Sequence, residues 1–372
     1  MFLFIIGSIL FLGYSVLIGL YKKWWDDLVT YEADPLVGEK PVLISIIVAA
    51  RNEEANVGKL IAALQQQSYP QNAFEVLIVD DHSTDATAAI VEKTGGNVRP
   101  VSLAQNETSK KTAIAKGIAS ANGELIITTD ADCLPPPEWL QTLAHFYSEK
   151  KAVFIAAPVK YNYRNNLLEV FQTLDFITLQ GITAASVSSG SHTMCNGANL
   201  AYTKEAFNKV DGFTGIDAVA SGDDMLLMHK IWKQDPDRVF YLKSKEAIVE
   251  TAPMPTWRQF FWQRIRWASK TTAYDDKRIF WALLLVYLFN VLFVALVVAG
   301  IWNTSYLVFA LALWVLKTVA EIPFIYSVAT FFNQQKLVRY FFLFQPLHIL
   351  YTVIIGALSQ TGSYQWKGRK TK

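Results

Sequence analysis

The stretch Gly123-Glu-Leu-Ile-Ile-Thr-Thr-Asp-Ala-Asp-Cys133 joins a predicted buried strand to two carboxylates. Its apolar, β-branched run begins after a glycine, which predicts a short strand covered on both faces. Because residues two apart in an extended chain point to the same side, Asp130 and Asp132 are expected to converge. Two convergent carboxylates suit a divalent cation, Mg²⁺ or Mn²⁺, that also holds phosphate oxygens. A solvated acidic turn has the same local pattern, so the rest of the sequence must distinguish a cation site from such a turn.

Strands and helices are predicted to alternate from Pro41 onward. The predicted strands are 43–50, 75–79, 97–103, 124–129 and 152–161, and the predicted helices are 57–67, 86–92, 110–121 and 167–186. Ser83 or Thr84 is expected to cap the second of these helices. The alternation predicts an α/β fold in which a mostly parallel sheet carries helices on both faces.

Acidic residues follow three strands of this sheet and precede one later helix. They are Glu53/Glu54, Asp80/Asp81, Asp130/Asp132 and, after Gly222, Asp223/Asp224. The first three pairs are expected at the carboxyl edge of the sheet, where such folds bind ligands. The fourth pair is expected in the first turn of a helix, where the helix dipole favours negative charge. Simple charging of a helix terminus would give that last pattern as well.

Composition indicates a chain that lies partly in lipid. Hydrophobic residues make up 52% of the 372 residues, and the mean hydropathy is +0.22. A net charge of +2 says little about partners, and no nucleic-acid partner is expected. Two cysteines are too few for a disulfide framework or a cysteine-based metal knuckle.

The apolar excess lies at the two ends of the chain. Residues 1–20 are long enough to cross a bilayer, and the lysines and tryptophans that follow predict that their C-terminal side is cytoplasmic. Further membrane segments are predicted at 279–302, 306–332 and 340–358. Three such crossings would leave the basic tail outside, so we expect 340–358 to re-enter or to lie at the interface.

Two features of these C-terminal segments carry separate expectations. Lys317 and Glu321 are four residues apart, so on one helix their side chains can form an ion pair. We expect this pair because unpaired charges within a membrane are costly. Pro323 and Pro346 are expected to break or bend the segments that contain them.

The segment 256–270 is dense in tryptophan and arginine. At helical spacing one face holds Trp257, Phe260, Phe261 and Ile265, and another holds Gln263, Arg266 and Trp267. A basic, aromatic amphipathic helix of this kind lies in the membrane interface, where its polar face could hang over a cytoplasmic site. Membrane anchoring alone would also explain the aromatic residues.

Together these segments resemble the membrane-bound inverting glycosyltransferases of family 2, which have a GT-A nucleotide-sugar domain. The resemblance covers about residues 41–267. The matching segments, in chain order, are Ala50-Arg-Asn-Glu-Glu54, Val79-Asp-Asp-His-Ser-Thr-Asp85, Lys110 ahead of Gly117-Ile118, Asp130-Ala-Asp132, Gly222-Asp-Asp224 and Gln263-Arg-Ile-Arg-Trp267. Asp223 stands where the family has glutamate, which keeps the charge. Trp366-Lys-Gly-Arg369 is similar to the tail of lipid-directed relatives.

The resemblance implies roles for individual residues. Asp224, with Asp223 beside it, corresponds to the catalytic base, while Asp130 and Asp132 correspond to the ligands of a divalent cation. The implied substrate-binding residues are Asn52, Glu53, Asp80, Asp81, Lys110, Gln263, Arg266 and Trp267. The implied donor is a UDP-sugar, and the implied acceptor is a membrane lipid or lipid-linked molecule.

The resulting division is an N-terminal anchor (1–25), a cytoplasmic GT-A domain (40–255), an interface helix (256–275), C-terminal membrane segments (279–360) and a basic tail (361–372). Two alternatives stay open. One is a processive polysaccharide synthase, although such enzymes usually need more crossings to form a channel. The other is a non-catalytic membrane scaffold that keeps the GT-A fold, which the intact carboxylates disfavour.

Overall fold

The computed structural model describes residues 1–33, 40–216, 222–269 and 276–359, with the backbone of two short strands at 364–366 and 369–371. Ser221, residues 270–275 of the predicted interface helix and most of the basic tail lie outside the described residues. The chain divides into a helical unit and a sheet unit. The helical unit is Met1–Leu28, Tyr163–His192 and Pro253–Lys372, and the sheet unit is Val29–Asn162 and Thr193–Ala252.

The regular elements follow the chain in this order. The α-helices of the described ranges are α1 (Phe2–Asp27), α2 (Val57–Gln65), α3 (Thr87–Glu92), α4 (Lys110–Ser120), α5 (Trp139–Lys150), α6 (Leu167–Ser188), α7 (Lys204–Lys209), α8 (Asp223–Gln234), α9 (Trp257–Ala268), α10 (Lys277–Ala299), α11 (Thr304–Phe331) and α12 (Phe341–Leu358). The strands are β1 (Ile44–Ala50), β2 (Phe74–Asp80), β3 (Val98–Ser102), β4 (Leu125–Asp130), β5 (Phe154–Ala156), β6 (Val159–Tyr161), β7 (Leu200–Thr203), β8 (Val239–Tyr241), β9 (Val249–Thr251), β10 (Tyr364–Trp366) and β11 (Arg369–Thr371).

A seven-stranded sheet organises the sheet unit, in the order β3-β2-β1-β4-β7-β5-β8. Strands β3, β2, β1 and β4 run parallel, and β7 is antiparallel to both of its neighbours. In register, Ala50 lies beside Asp80 and Ala49 beside Asp130. The carboxyl ends of β1, β2 and β4 therefore meet at one edge, as predicted.

Gly123 is required where the chain enters β4. A Cβ atom there would lie 2.5 Å from the backbone nitrogen of Ser45 in the neighbouring β1, closer than real Cβ contacts. The N–H of Gly123 instead donates to Oγ of Ser45 at 2.8 Å. Strand β4 can thus lie tight against β1, where Leu125 to Ile127 are fully buried.

Two predictions for this unit were wrong in detail. The predicted strand at 152–161 is two strands, β5 and β6, which belong to different sheets. Pro158 lies between them, and proline lacks the N–H that a continuing ladder needs. Ser83 and Thr84 do not cap α3, because Ala86 is its N-cap residue and Asp85 Oδ1 accepts from Thr87 N–H at 3.0 Å.

Within the described ranges, the helical unit has four helical segments that are long and apolar enough to cross a membrane. They are Phe2–Asp27, Lys277–Ala299, Thr304–Phe331 and Gln335–Leu358. Helix α1 packs against α6, α10 and α11. Neither Pro323 nor Pro346 interrupts its helix.

A buried polar network joins three helices of this unit. The predicted pair on α11 is confirmed, since Lys317 Nζ lies 2.7 Å from Oε1 of Glu321. Lys317 also donates to Oε1 of Gln345 at 2.8 Å, and both Tyr14 and Gln345 donate to the Glu321 carboxylate. All four side chains are buried. Every charge in the network therefore has a partner, as burial in an apolar environment requires.

Candidate active site

Asp130, Asp132 and Cys133 form a compact cluster at the carboxyl end of β4. One potential ligand atom from each lies within 4.8 Å of those of the other two. The predicted convergence of the two carboxylates is confirmed, but its cause is different. Strand β4 ends at Asp130, and a turn closed by the hydrogen bond from Cys133 N–H to the Asp130 carbonyl (3.1 Å) brings Asp132 back.

The chemistry of this cluster fits a hard divalent cation. Burial, followed by the charges of Asp130 and Asp132, raises the pKa of the Cys133 thiol well above its ordinary value. A protonated thiol is a poor ligand, whereas two carboxylates are the ligands that Mg²⁺ and Mn²⁺ prefer. Asp132 is exposed and Asp130 is half-buried, so a carboxylate oxygen of each residue can reach an incoming ion.

Lys110, at the first turn of α4, connects two acidic elements of the edge. Its ammonium nitrogen lies 2.6 Å from Oδ1 of Asp130 and 3.6 Å from Oδ2 of Asp223. Burial alone would lower the pKa of Lys110, but Asp130, Asp223 and Asp224 together raise it above its ordinary value. The side chain therefore stays cationic. The resemblance implied that the carboxylates of β4 and α8 share one site, but not that Lys110 would join them.

Asp223 and Asp224 occupy the first turn of α8, as predicted. Gly222 precedes them with a φ of +83°, a conformation that favours glycine. Asp223 is buried, and Asp224 is half-buried. The dipole of α8 favours both charges.

A glycine on the loop before β7 holds Asp224. The N–H of Gly197 donates to Oδ2 of Asp224 at 3.0 Å. A Cβ atom at Gly197 would lie 3.3 Å from Lys110 Nζ, a tight approach, and 3.5 Å from Asp224 Oδ2, an ordinary contact. The sequence analysis did not predict this contact.

The loops after β1 and β2 hold each other in place. Asn52, with a φ of +52°, accepts from Thr84 N–H at 2.8 Å, and its own N–H donates to Ser83 Oγ at 2.9 Å. Oδ2 of Asp80 accepts from Ser83 N–H at 3.1 Å. Oδ1 of Asp80 is buried and accepts no hydrogen bond within the described ranges. That oxygen is suited to a donor group on a ligand.

Asp81 and Glu53 have partners that the sequence analysis missed. Asp81 is 3% exposed, and its Oδ1 accepts from Thr108 Oγ1 at 3.1 Å and lies 3.7 Å from Nη1 of Arg51. Glu53 Oε2 accepts from the side-chain amide of Asn56 at 2.9 Å. Both carboxylates thus brace the loops of this edge.

The remaining predicted residues lie on α9, in the helical unit. Trp267 is half-buried, and its ring centroid lies 6.2 Å from that of Phe176. Oε1 of Gln263 is buried and has no hydrogen-bond donor in the described part of the chain. Arg266 is half-buried. The predicted apolar face is confirmed, because Phe260 and Ile265 are buried in a cluster with partly buried neighbours.

Comparison with known proteins defines the fold. A mannosyltransferase of Pyrobaculum calidifontis, PcManGT, solved with GDP-Man and Mn²⁺, superposes with a TM-score of 0.61 at 19% identity. The match covers 95% of this chain and 98% of that one. The sheet with carboxylates at its carboxyl edge is thus the GT-A fold, as predicted.

Sequence comparison relates part of this chain to a known family. Residues 45–211 match the family model of glycosyl transferase family 2. Glycosyltransferase AglE of Haloferax volcanii is 27% identical over 124 residues, which are 33% of this chain and 41% of that protein. Beta-monoglucosyldiacylglycerol synthase of Nostoc sp. is 26% identical over 293 residues, 75% of this chain and 59% of that protein. The chain therefore spans about half the length of these relatives, and its residues 45–211 are similar to family 2 glycosyltransferases.

Proposed function

We propose that this protein is a membrane-bound inverting glycosyltransferase that moves a sugar from a UDP-sugar to a lipid or lipid-linked acceptor at the cytoplasmic face of the membrane. The contact of Lys110 with both Asp130 and Asp223 carries the proposal. It brings the carboxylates expected to bind a cation and those expected to act on the acceptor into one site.

Asp130 and Asp132 would hold the divalent cation. A cation bound there supplies Lewis-acid stabilisation for the charge of a departing diphosphate. Lys110 stays cationic beside them and adds a donor for phosphate oxygens. The site therefore has positive groups to offset the charge that develops on the leaving group.

Asp224 is the proposed base. An inverting transfer is a single displacement, in which the acceptor oxygen bonds to the anomeric carbon as the bond to the diphosphate breaks. The acceptor hydroxyl proton passes to a carboxylate oxygen of Asp224 during the attack. The hydrogen bond from Gly197 fixes that carboxylate, which reduces the reorganisation needed in the transition state.

We propose that the nucleobase of the UDP-sugar binds at the carboxyl ends of β1 and β2. Oδ1 of Asp80, which is buried and accepts no hydrogen bond in the described ranges, is the proposed acceptor for the uracil N–H, and Thr108 holds the adjacent Asp81. Asn52 and Glu53 line the same loops. Arg266 would pair with phosphate through its planar guanidinium, Trp267 would stack at the acceptor entrance and Gln263 would support them.

Lipid as the acceptor class is supported by two observations. Four helical segments are long and apolar enough to cross a membrane. The matched Nostoc protein is named for the synthesis of a glucosyl diacylglycerol. A lipid acceptor would approach the domain from the bilayer to which those helices anchor it.

A radiolabel experiment tests the proposal. Membranes containing the protein are incubated with a panel of labelled UDP-sugars and Mn²⁺, and lipids are then extracted into organic solvent. We expect one UDP-sugar to transfer label to the organic phase, and Asp224→Asn membranes to show only background. Label in an aqueous polymer would indicate a processive synthase instead, and no transfer from any donor would contradict the proposal.

A further inference from the structure

We propose that Asp175 on α6 and Arg264 on α9 are positioning residues, which fix the rotation of α9 and thereby the orientation of Trp267. The inference rests on the proposed role of the α9 residues in transfer. Asp175 lies outside the segments that assigned those roles. Arg264 lies within Gln263-Arg-Ile-Arg-Trp267 but was assigned no role there.

The two residues form a buried ion pair. Nη2 of Arg264 lies 2.7 Å from Oδ2 of Asp175, and the side chains are 2% and 7% exposed. His348 on α12 lies on the other side of the carboxylate, with Nε2 3.6 Å from Oδ1. The pair therefore ties α9 to α6, and Asp175 also contacts α12.

The surroundings of the pair are apolar. Helix α9 buries Phe260 and Ile265 against Phe171, Tyr351 and Ile355. Apolar contacts of this kind are non-directional, so the cluster alone would tolerate some rotation of the helix. Buried ion pairs can often be replaced by apolar residues without loss of stability, and their best-attested benefit is a fixed register. The pair supplies a short contact between opposite charges at one defined position on α9, which the cluster lacks.

Trp267 is coupled to the pair through the arginine side chain. The guanidinium carbon of Arg264 lies 4.3 Å from the centroid of the Trp267 ring and 5.0 Å from that of Phe260. Trp267 is also in contact with Phe176, the residue after Asp175 on α6. A rotation of the guanidinium plane would therefore move the indole, because the two groups stack.

The test replaces both charges at once. Asp175→Leu combined with Arg264→Met leaves no unpaired buried charge, so the protein is expected to fold. The full chain is labelled with 5-fluorotryptophan, and the resonance of Trp267 is identified by its loss in Trp267→Phe. We expect the Trp267 resonance of the double variant to shift and broaden. Its kcat/KM for the lipid acceptor should fall roughly 10- to 100-fold.

Two further variants make the result specific. Thr256→Ala removes the N-cap hydrogen bond to Gln259 N–H, so it loosens α9 without touching the pair, and its Trp267 resonance should stay in place. Arg264→Lys keeps the charge but loses the planar stacking surface, so it should shift the Trp267 resonance even if the double variant does not fold.

A Trp267 resonance that is unchanged in Arg264→Lys or in the folded double variant would overturn the inference. An unchanged kcat/KM in the folded double variant would do the same. If the wild-type protein transfers no sugar at all, the proposed function fails, but the fluorine resonance still shows whether the pair orients Trp267.

Discussion

The ammonium nitrogen of Lys110 lies 2.6 Å from Oδ1 of Asp130, at the edge where the parallel strands end. The same nitrogen lies 3.6 Å from Oδ2 of Asp223, so one cation links β4 to α8. Asp130 and Asp223 are 93 positions apart in the sequence, and this contact holds them in a single site. Without a positive charge between them the carboxylates would repel one another.

Replacing Lys110 by methionine should expose that repulsion. Loss of a charge-assisted hydrogen bond is worth about 2 kcal/mol, which lowers the melting temperature of a domain of this size by roughly 4–8 °C. Because Mn²⁺ can take over neutralisation, adding it should raise the melting temperature of Lys110→Met more than that of the wild type. Thermal unfolding in detergent with and without Mn²⁺ measures both effects. Equal Mn²⁺-induced shifts in the two proteins would argue against a shared site.

Asp224→Asn should abolish turnover while leaving the donor site intact. Asparagine keeps the shape of the side chain and an oxygen that can accept from Gly197 N–H, but it cannot take up the acceptor proton. We expect kcat to fall by about three orders of magnitude and the Kd for UDP to change little.

The matched control for this substitution is Asp237→Asn, which removes an exposed carboxylate of the same unit. Its kcat should equal that of the wild type. If Asp224→Asn instead lost UDP binding, the residue would be part of the donor site rather than the base.

The buried network between α1, α11 and α12 should be intolerant of a single substitution. Lys317→Met leaves the Glu321 carboxylate buried without its countercharge, at a cost of about 3–5 kcal/mol. The double variant Lys317→Met with Glu321→Gln removes both charges and should recover most of that loss. Thermal unfolding of the wild type and the two variants shows whether the double variant is more stable than the single one. A single variant as stable as the wild type would mean that water or lipid headgroups reach the carboxylate.

His192 should make stability depend on pH. Burial lowers its pKa from 6.5 to about 4, and in smaller measure the charge of Asp276 raises the pKa while that of Arg278 lowers it. The unfolded chain therefore binds a proton that the folded chain does not, and stability is lost as the pH falls from about 6.5 towards 4. The loss approaches about 3 kcal/mol at the acid end. Unfolding of the wild type and His192→Gln between pH 4.5 and 7.5 tests this, and parallel pH profiles would refute it.

Local pattern was enough to predict the sheet and its acidic edge. The apolar, β-branched runs that end at Ala50, Asp80 and Asp130 predict strands, because a strand covered on both faces has a nearly continuous apolar sequence. The resemblance to family 2 glycosyltransferases, and the fold that it implies, followed from motifs in the same segments. The break at Pro158 was also visible in the sequence but was not used.

Contacts between distant segments could not be predicted in the same way. The bond from Gly197 N–H to Asp224 and the pair formed by Asp175 and Arg264 join residues whose spacing along the chain has no period. Each depends on tertiary packing, which local propensity does not encode. The division of the chain at residues 25, 40, 255 and 279, like the orientation of its membrane segments, stays a prediction.

Binding of UDP in the presence and absence of a cation tests the central claim most directly. Calorimetric titration of the purified protein should show saturable UDP binding with Mn²⁺ and a large loss of affinity with EDTA. Asp132→Ala should bind UDP weakly under both conditions, because it removes one of the two carboxylate ligands. Cys133→Ser should bind like the wild type, since its thiol is not needed as a ligand. Equal UDP affinity with Mn²⁺ and with EDTA, in both the wild type and Asp132→Ala, would contradict the account.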